Sequence, residues 1–346
     1  MPITHQLYDT ATLLGVYKDM PAASTYFLDL GFGSSVNFTD EFIDFEKLVG
    51  NRKLAPFVAP TAQGVPIYSQ GSTVTRLKPA YVKPKDAVEP SRLFKRSPGN
   101  LLGADTMNPL ARYNALVAAI LQDHREAIER RWEWLAARAM IDGKVTIEDD
   151  RYPARVVDFQ RDPSHTVTLT TTARWGQSDA NIIGDIENWR SKVRNAKFGG
   201  PTNRLTVAAD VWDVMRKDPE VLKQLDTQIR GTSMDLNIGI REGSLVEYIG
   251  KLSNTLELWI NSDFYELPDG TTAPYMEPGT VLLSGPNIMG VRAFGAIVDK
   301  KANFQALTVF PKMWEQEDPS ATFLMTQSAP LMVPVNPNNT LKASVL

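Results

Sequence analysis

The chain has no cysteine among its 346 residues. Without cysteine it cannot form disulfides, thiolate metal sites or a cysteine nucleophile, and it suits a reducing compartment. No apolar run approaches the ~20 residues that a membrane-spanning helix needs. The opening MPITHQLYDTATLL does not place a basic segment before an apolar core, as a secretory signal would. We therefore expect a soluble protein that is not exported.

Histidine is almost as scarce, with three residues in the whole chain. His5 lies near one end, and His165 begins a threonine-rich stretch with no acidic residue at useful spacing. His124 falls on an apolar i, i+4 ladder, where a packed, hydrogen-bonded side chain is the expectation. The surrounding HREAIE departs from the HExxH zinc pattern. The histidines therefore predict neither a catalytic base nor a metal site.

Motifs for nucleotide or acyl chemistry are missing as well. The sequence contains no GxxxxGK[ST] phosphate loop, no GxGxxG after a strand and no GxSxG elbow. The acidic trio Glu148-Asp149-Asp150 follows a strand-like stretch and is read as a solvated turn. An enzyme with an active site in an α/β lobe would show titratable groups clustered in a cleft, and no motif indicates one. We predict no enzyme activity, no catalytic residue, no metal and no cofactor.

A surplus of positive charge is also absent. The chain has 37 Lys and Arg and 40 Asp and Glu, which gives a formal net charge of −3. That balance opposes a dedicated nucleic-acid-binding protein, which needs concentrated basic surface. Salt-dependent binding of the protomer to duplex DNA would revive that alternative. At 43% hydrophobic and 22% charged residues, the composition is that of a globular protein with two or more lobes.

One segment nevertheless concentrates basic residues. Between Arg76 and Arg96 the chain reads RLKPAYVKPKDAVEPSRLFKR, with seven Lys or Arg and repeated prolines. Proline confines a strand to sheet edges, and basic side chains are seldom buried without partners. Together with the preceding stretch from Leu54, the pattern predicts a long two-stranded hairpin. Such a ribbon is marginally stable alone, so we expect another surface to support it.

The strongest helix signal begins at Asn108-Pro109 and ends at Gly143. Asparagine suits an N-cap and proline the first helical position. Roughly 30 residues correspond to ~45 Å, which indicates a spine rather than an ordinary helix. Trp132 and Trp134 cannot share a helix face, so one is expected in a core and the other near the surface. The apolar face is formed by Leu116, Ile120, Ile128, Trp132 and Leu135.

The remaining elements are predicted from local patterns. Asp9 to Met20 suits a short helix, and the following STYFLDLGFGSS is expected to be extended. A second helical region starts at Asp179 and leads into a compact α/β region, where Asp269-Gly270 indicates a hairpin turn. Strand-like segments return from Leu307 to the end.

Three stretches resemble the major capsid proteins of lambda-like tailed bacteriophages, which have the Hong Kong 97 type of fold. They are GSTVTRLKPAYVKPKDAVEP at Gly71 to Pro90, the helix after Asn108-Pro109, and EDPSATFLMTQSAPLMVPVNPNN from Glu317. The first is similar to the family's GST…PGYVKPK segment and the last to its QSAPLM ending. Their order and separation match, and the resemblance spans nearly the whole chain.

The resemblance implies an α+β fold with named parts. Residues 1–50 would form an N-arm, residues 51–100 an extended β-hairpin called the E-loop, and residues 176–303 the axial or A-domain. The peripheral or P-domain would combine residues 101–175, with a spine helix at about 109–142, and the return strands 304–346. In this family the E-loop lies across the P-domain of a neighbouring subunit. The implied function is assembly into pentamers and hexamers of an icosahedral phage head that encloses double-stranded DNA.

The basic ribbon would then find its support on another copy. We expect contacts between basic E-loop residues and acidic residues of a neighbour's spine helix and N-arm. Single exposed ion pairs contribute only ~0–1 kcal/mol, but closure of a symmetric shell multiplies weak contacts. The basic set is Arg76, Lys78, Lys83, Lys85, Arg92, Lys95 and Arg96. The acidic set is Asp123, Glu126, Glu129 and Glu133 on the helix, with Asp40, Glu41, Asp44 and Glu46 in the arm.

The resemblance also implies partners and a place of assembly. Because only ~50 residues precede the E-loop, a separate scaffolding protein is expected. A portal protein at one vertex and a decoration protein are further expected partners, and Lys–Asn crosslinking between subunits is not expected. The head would assemble in the bacterial cytoplasm and persist in the virion. The alternative with the same fold is an encapsulin-like shell around cargo enzymes.

Overall fold

The structure is a computed structural model that describes residues 7–20, 25–40, 42–47, 73–77, 79–88, 109–149, 152–226, 245–253, 255–267, 269–302, 305–318 and 321–346. In these residues the α-helices are α1 (Thr10–Asp19), α2 (Phe27–Gly31), α3 (Pro109–Ile141), α4 (Ile182–Asn195), α5 (Ala209–Met215) and α6 (Pro219–Gln224). Short 3₁₀ turns occupy Pro163–His165, Thr171–Ala173, Pro286–Ile288, Lys300–Ala302 and Pro337–Asn339.

The strands of the first half are β1 (Ser34–Asn37), β2 (Ile43–Lys47), β3 (Thr73–Leu77), β4 (Lys85–Val88), β5 (Lys144–Asp149), β6 (Tyr152–Asp158), β7 (Thr166–Thr168), β8 (Arg204–Ala208) and β9 (Leu225–Asp226). Those of the second half are β10 (Val246–Leu252), β11 (Leu256–Asn261), β12 (Phe264–Glu266), β13 (Thr272–Pro274), β14 (Thr280–Ser284), β15 (Val291–Phe294), β16 (Phe310–Gln316), β17 (Ala321–Gln327), β18 (Pro330–Val333) and β19 (Thr340–Ser344).

Helix α3 is the predicted spine. Its 33 residues correspond to about 50 Å, and most of its predicted apolar face, including Trp132, is buried. Trp134 is partly buried beneath Arg131, as the spacing of the two tryptophans requires. Just past the helix end, Gly143 has φ +67°, the left-handed conformation that commonly follows a helix C-terminus. Arg161 supports that end by donating from Nη1 to the Met140 carbonyl at 2.9 Å.

The largest sheet has the order β7-β19-β14-β8-β11-β10-β9. Its central strands are apolar, and all five residues of β14 are buried. Helix α4 buries Ile186 and Trp189 beside it. The sheet contains both β7 and the C-terminal strand β19. Both strands lie in the predicted peripheral segments, and they pair with one another and with β14 of the predicted axial segment. Sequence periodicity identifies a strand, whereas its neighbours depend on long-range contacts.

Two smaller sheets pack against α3. In the first, β1 pairs in parallel with β15, which pairs antiparallel with β18, and Phe294 meets Trp132 with ring centroids 5.0 Å apart. In the second, β17 lies between β16 and β4 in antiparallel pairing. The predicted turn at Asp269-Gly270 is confirmed, because β12 and β13 pair across it and Gly270 has φ +82°.

The N-terminal segment packs into the protein's own core. The predicted short helix is confirmed as α1, whose N-cap Asp9 accepts a hydrogen bond from the Thr12 N–H at 2.9 Å. The stretch predicted to be extended instead contains α2, which is a correction. Phe27, Leu28 and Phe32 are almost fully buried there. Local sequence did not reveal α2 because its N-terminus is completed by a side chain from α3.

Candidate intersubunit surface

Two of the predicted basic residues are fully described, and both lie in residues 79–88, which we call the root segment. The Lys83 and Lys85 side chains are exposed. Arg76 lies in β3, and only its backbone is described. Lys78, Arg92, Lys95 and Arg96 lie outside the described residues.

The root segment is fastened to its own subunit. The Val82 N–H donates to the Ser328 carbonyl at 2.8 Å, and the Tyr81 hydroxyl donates to the Ala296 carbonyl at 2.7 Å. Strand β4 continues this attachment by pairing with β17. The ribbon was predicted to be a two-stranded hairpin supported by another copy, and for the root segment this is wrong. The root segment pairs with the chain's own β17, along the edge opposite β16.

Strand β3, the other described part of the ribbon, pairs with β2 of the predicted N-arm. The register places Arg76 opposite Asp44 and Val74 opposite Glu46. Arm and ribbon are therefore joined within one chain at this point. The side chains of Asp44 and Glu46 are not described, and Glu41 lies outside the described residues. Asp40 is exposed.

Lys85 belongs to a cationic aromatic face on the sheet β16-β17-β4. Its ammonium lies 4.0 Å from the ring centroid of Phe323 and 5.2 Å from that of Trp314. The two rings stack with centroids 5.5 Å apart. Lys83 extends the face, with its ammonium 4.8 Å from the Tyr81 ring. A cation held over an aromatic face is stabilised by the ring quadrupole, so Lys85 has a role inside its own subunit.

Sequence reasoning missed this face. It treated Lys83 and Lys85 as charges alone, although Tyr81, Lys83 and Lys85 alternate along an extended segment and therefore point to one side. The aromatic partners of Lys85, Trp314 and Phe323, come from strands more than 200 positions away. Only the alternation was available as a signal.

The predicted acidic residues of the spine helix divide into two groups. Asp123 is exposed, and Glu126 is partly exposed with an ion pair to Arg130 at 2.9 Å. Both lie where another copy can reach them. Glu129 is buried, accepts from Arg125 Nε at 2.9 Å and cannot face a neighbour. For Glu129 the prediction is wrong because its charge is already neutralised within the protomer.

Glu133 is likewise a correction. Its side chain is only 4% exposed. One carboxylate oxygen accepts the Tyr26 and Phe27 N–H groups at 2.8 and 2.6 Å, and the other accepts the Leu28 N–H at 3.0 Å. Burial raises the pKa of Glu133 to about 7, while the three N–H donors act in the opposite direction. Glu133 therefore joins the N-terminal segment to the spine helix of the same subunit.

No site for catalysis emerges from the part of the chain that the structure describes. Within it, no group of three or more His, Asp or Glu residues is placed to hold a metal ion. His124 is packed and hydrogen-bonded as predicted, and buried His165 bonds the Thr340 carbonyl at 2.9 Å. His5 lies outside the described residues. None of the described helices is long and apolar enough to cross a membrane.

Comparison with known proteins gives a consistent result. The profile of the family described as "Phage major capsid protein E" matches residues 9–345. The P21 prophage-derived major head protein of Escherichia coli O6:H1 is 28% identical over 340 residues, covering 96% of this chain and 97% of the relative. The major capsid protein of Escherichia phage lambda is 27% identical with the same coverage.

Solved structures agree on the fold. The crystal structure of the "putative capsid protein of prophage (E.coli CFT073)" superimposes with a TM-score of 0.76 at 23% identity, covering 99% of this chain and 100% of that one. The mature capsid of bacteriophage PhiM1 gives a TM-score of 0.51 at 12% identity, covering 99% and 91%. These matches confirm the predicted α+β capsid fold of the Hong Kong 97 type.

Proposed function

The chain belongs to the phage major capsid protein E family, and we propose that its copies form the pentamers and hexamers of an icosahedral head around packaged double-stranded DNA. It is a structural capsid protein of a phage virion and not an enzyme. The observation that carries this function is the family match from residue 9 to residue 345, over the same elements that build the capsid fold. The encapsulin-like alternative has no comparable support, because the matched family and the relatives above are phage head proteins.

Four parts of the molecule serve this assembly in our proposal. Residues 1–50 act as the N-arm, 51–100 as the E-loop, and 176–303 as the A-domain around the capsomer centre. Residues 101–175 and 304–346 form the P-domain, from which β7 and β19 extend into the axial sheet. In this proposal β7 and β19 link the two domains mechanically, because their backbone hydrogen bonds continue the sheet of the A-domain.

The contact between copies uses the cationic aromatic face. Lys83 and Lys85 carry positive charge there, and we assign it an acidic partner on another copy because that pairing needs no additional protein. Among the predicted acidic residues whose side chains are described, Asp123 and Glu126 on the spine helix and Asp40 in the arm remain accessible. The other predicted residues remain candidates for contacts between copies: Arg76, Lys78, Arg92, Lys95 and Arg96 on the basic side, and Glu41, Asp44 and Glu46 on the acidic side.

A separate scaffolding protein, a portal protein at one vertex and a decoration protein complete the proposed assembly in the bacterial cytoplasm. Cryo-electron microscopy of particles made in bacteria by the full chain, alone and with its cognate scaffolding protein, tests the function. We expect closed icosahedral shells with the scaffolding protein present. Unassembled protomers under both conditions contradict the proposal. A gene position beside portal and terminase genes supports the phage head over an encapsulin.

Lys83→Glu is expected to abolish or severely reduce shell formation while leaving the protomer folded. The Lys83 side chain contacts only the Tyr81 ring among the described interactions, so its reversal costs little within the subunit. Each contact between copies instead loses an attraction and gains a repulsion, and closure of a shell repeats that change many times. Lys85→Glu is less informative because Lys85 also binds Phe323 within its own subunit.

Lys223→Glu provides the matched control, since Lys223 is an exposed lysine on α6 in the A-domain. Shell yield from electron micrographs and the far-ultraviolet spectrum of each protomer are the measurements. Normal shells from Lys83→Glu count against the proposed contact, as does equal loss of shells in Lys223→Glu.

A further inference from the structure

A buried histidine connects the root segment to the spine helix. His124 lies on α3 with 2% of its surface exposed. Its Nε2 atom is 3.1 Å from Asp86 Oδ2 on β4, and its Nδ1 atom is 3.1 Å from Thr326 Oγ1 on β17. Three elements that are distant in sequence therefore meet at one imidazole ring.

The partners determine the neutral form of the ring. Ionised Asp86 can only accept, so the proton lies on Nε2 and is donated to its carboxylate. Nδ1 then accepts from the Thr326 hydroxyl. A second proton on Nδ1 reverses this bond, so that the ring donates to Thr326 and the hydroxyl must turn to a new acceptor.

The surroundings oppose that second proton. Burial lowers the pKa of His124 below its ordinary value of 6.5, although Asp86 on β4 and Asp123 on α3 both favour the charged ring. Strand β17 contributes only the neutral Thr326 hydroxyl. Asp86 is half-exposed at 49%, so its favourable effect is weakened by solvent.

The sign of the pH effect follows from the lowered pKa. In the folded state the ring stays neutral at a pH at which the unfolded chain already binds a proton. The stabilisation is complete above about pH 6.5 and is lost as the pH falls through the folded-state pKa. The loss falls on the packing of α3 against β4 and β17, because the ring bonds one side chain from each strand.

We propose that His124 is a proton-sensitive brace that holds the root segment on the spine helix when neutral and releases it when protonated. This proposal rests on one part of the proposed function, namely that residues 51–100 are the E-loop. A released root gives the E-loop a second orientation relative to its own P-domain. Protonation of His124 would therefore change the conformation at the base of the E-loop.

Hydrogen exchange measured by mass spectrometry on the unassembled full-length protomer tests the brace. After correction for intrinsic exchange rates, we expect the amides of residues 79–88 to be protected at pH 7.5 and to lose protection at an acidic pH at which the His124 imidazole has titrated. Strand β10, which contains no histidine, should not change selectively over the same range. Because protomers are used, a failure of shell assembly does not affect the result.

His124→Gln is the matched variant, since its side-chain amide can still donate to Asp86 but cannot titrate. It should keep the root protected at both pH values. Asp86→Asn, which removes the charge that favours the imidazolium, should move the loss of protection to lower pH. The proposal is overturned if the wild-type root stays protected while the His124 imidazole titrates by NMR, or if His124→Gln shows the same acid-induced loss.

Discussion

Replacing Glu133 with alanine is expected to lower the free energy of unfolding by about 2–4 kcal/mol. The substitution leaves the N–H groups of Tyr26, Phe27 and Leu28 without the carboxylate that accepts their hydrogen bonds. All three residues are buried, so water cannot readily replace the lost acceptor. Chemical denaturation followed by tryptophan fluorescence measures the loss, and hydrogen exchange of residues 25–32 locates it.

Two further variants test whether the loss in Glu133→Ala is specific to this acid and whether it requires the charged carboxylate. Glu126→Ala on the same helix removes a partly exposed ion pair with Arg130 and should change stability by less than about 1 kcal/mol. Glu133→Gln keeps one oxygen for the Tyr26 and Phe27 N–H groups and loses the bond from Leu28. At pH 8 we expect it to lie within about 1 kcal/mol of the wild type. If Glu133→Ala is as stable as Glu126→Ala, residues 25–32 do not depend on Glu133.

The stabilities of the wild type and Glu133→Gln should also differ in their pH dependence. Burial raises the pKa of Glu133 to about 7 from an ordinary 4.5, so between these values the folded state holds a proton that the unfolded state releases. Stability therefore rises as the pH falls from 7 towards 4.5. Lowering the pH from 8 to 5 should stabilise the wild type by about 2 kcal/mol relative to Glu133→Gln, which cannot bind that proton. A constant difference between the two proteins contradicts the assignment.

Gly290→Ala is the second substitution with a large expected effect, a loss of about 2–3 kcal/mol. A Cβ atom at this position would lie 2.5 Å from the Gly31 carbonyl oxygen and closer still to the buried Phe32 ring. The Gly290 N–H also donates to that carbonyl at 2.8 Å. Because the obstacle includes backbone, the N-terminal segment must move away from β15 to make room.

Gly33→Ala is its control, since a Cβ atom there meets nothing within 4 Å. We expect a change within about 0.5 kcal/mol. Denaturation midpoints and hydrogen exchange of residues 25–37 distinguish the two variants. Equal stability of Gly290→Ala and Gly33→Ala would show that the close approach at residues 31 and 290 is not required.

Local patterns were sufficient for the elements that depend on neighbouring residues. The start of the spine helix at Pro109 and its end before Gly143 follow from capping and backbone preferences that act within a few positions. The turn at Asp269-Gly270 has the same origin. The resemblance of GSTVTRLKPAYVKPKDAVEP and QSAPLM to capsid proteins identified the family, since a whole-chain order of motifs carries information that no single element has.

The partners of the charged residues required the tertiary structure. From the sequence, Glu133 and Asp123 were equivalent acids on one helix, yet one holds backbone N–H groups of residues 26–28 and the other faces solvent. Lys85 was expected to contact a neighbour, and the structure adds a contact of its ammonium with Phe323 of its own subunit. Helical periodicity fixes which way a side chain points, but the groups that it contacts belong to segments more than 100 positions away. Sequence thus determined most of the elements and the family, and the packing of distant segments decided which charged side chains stay exposed.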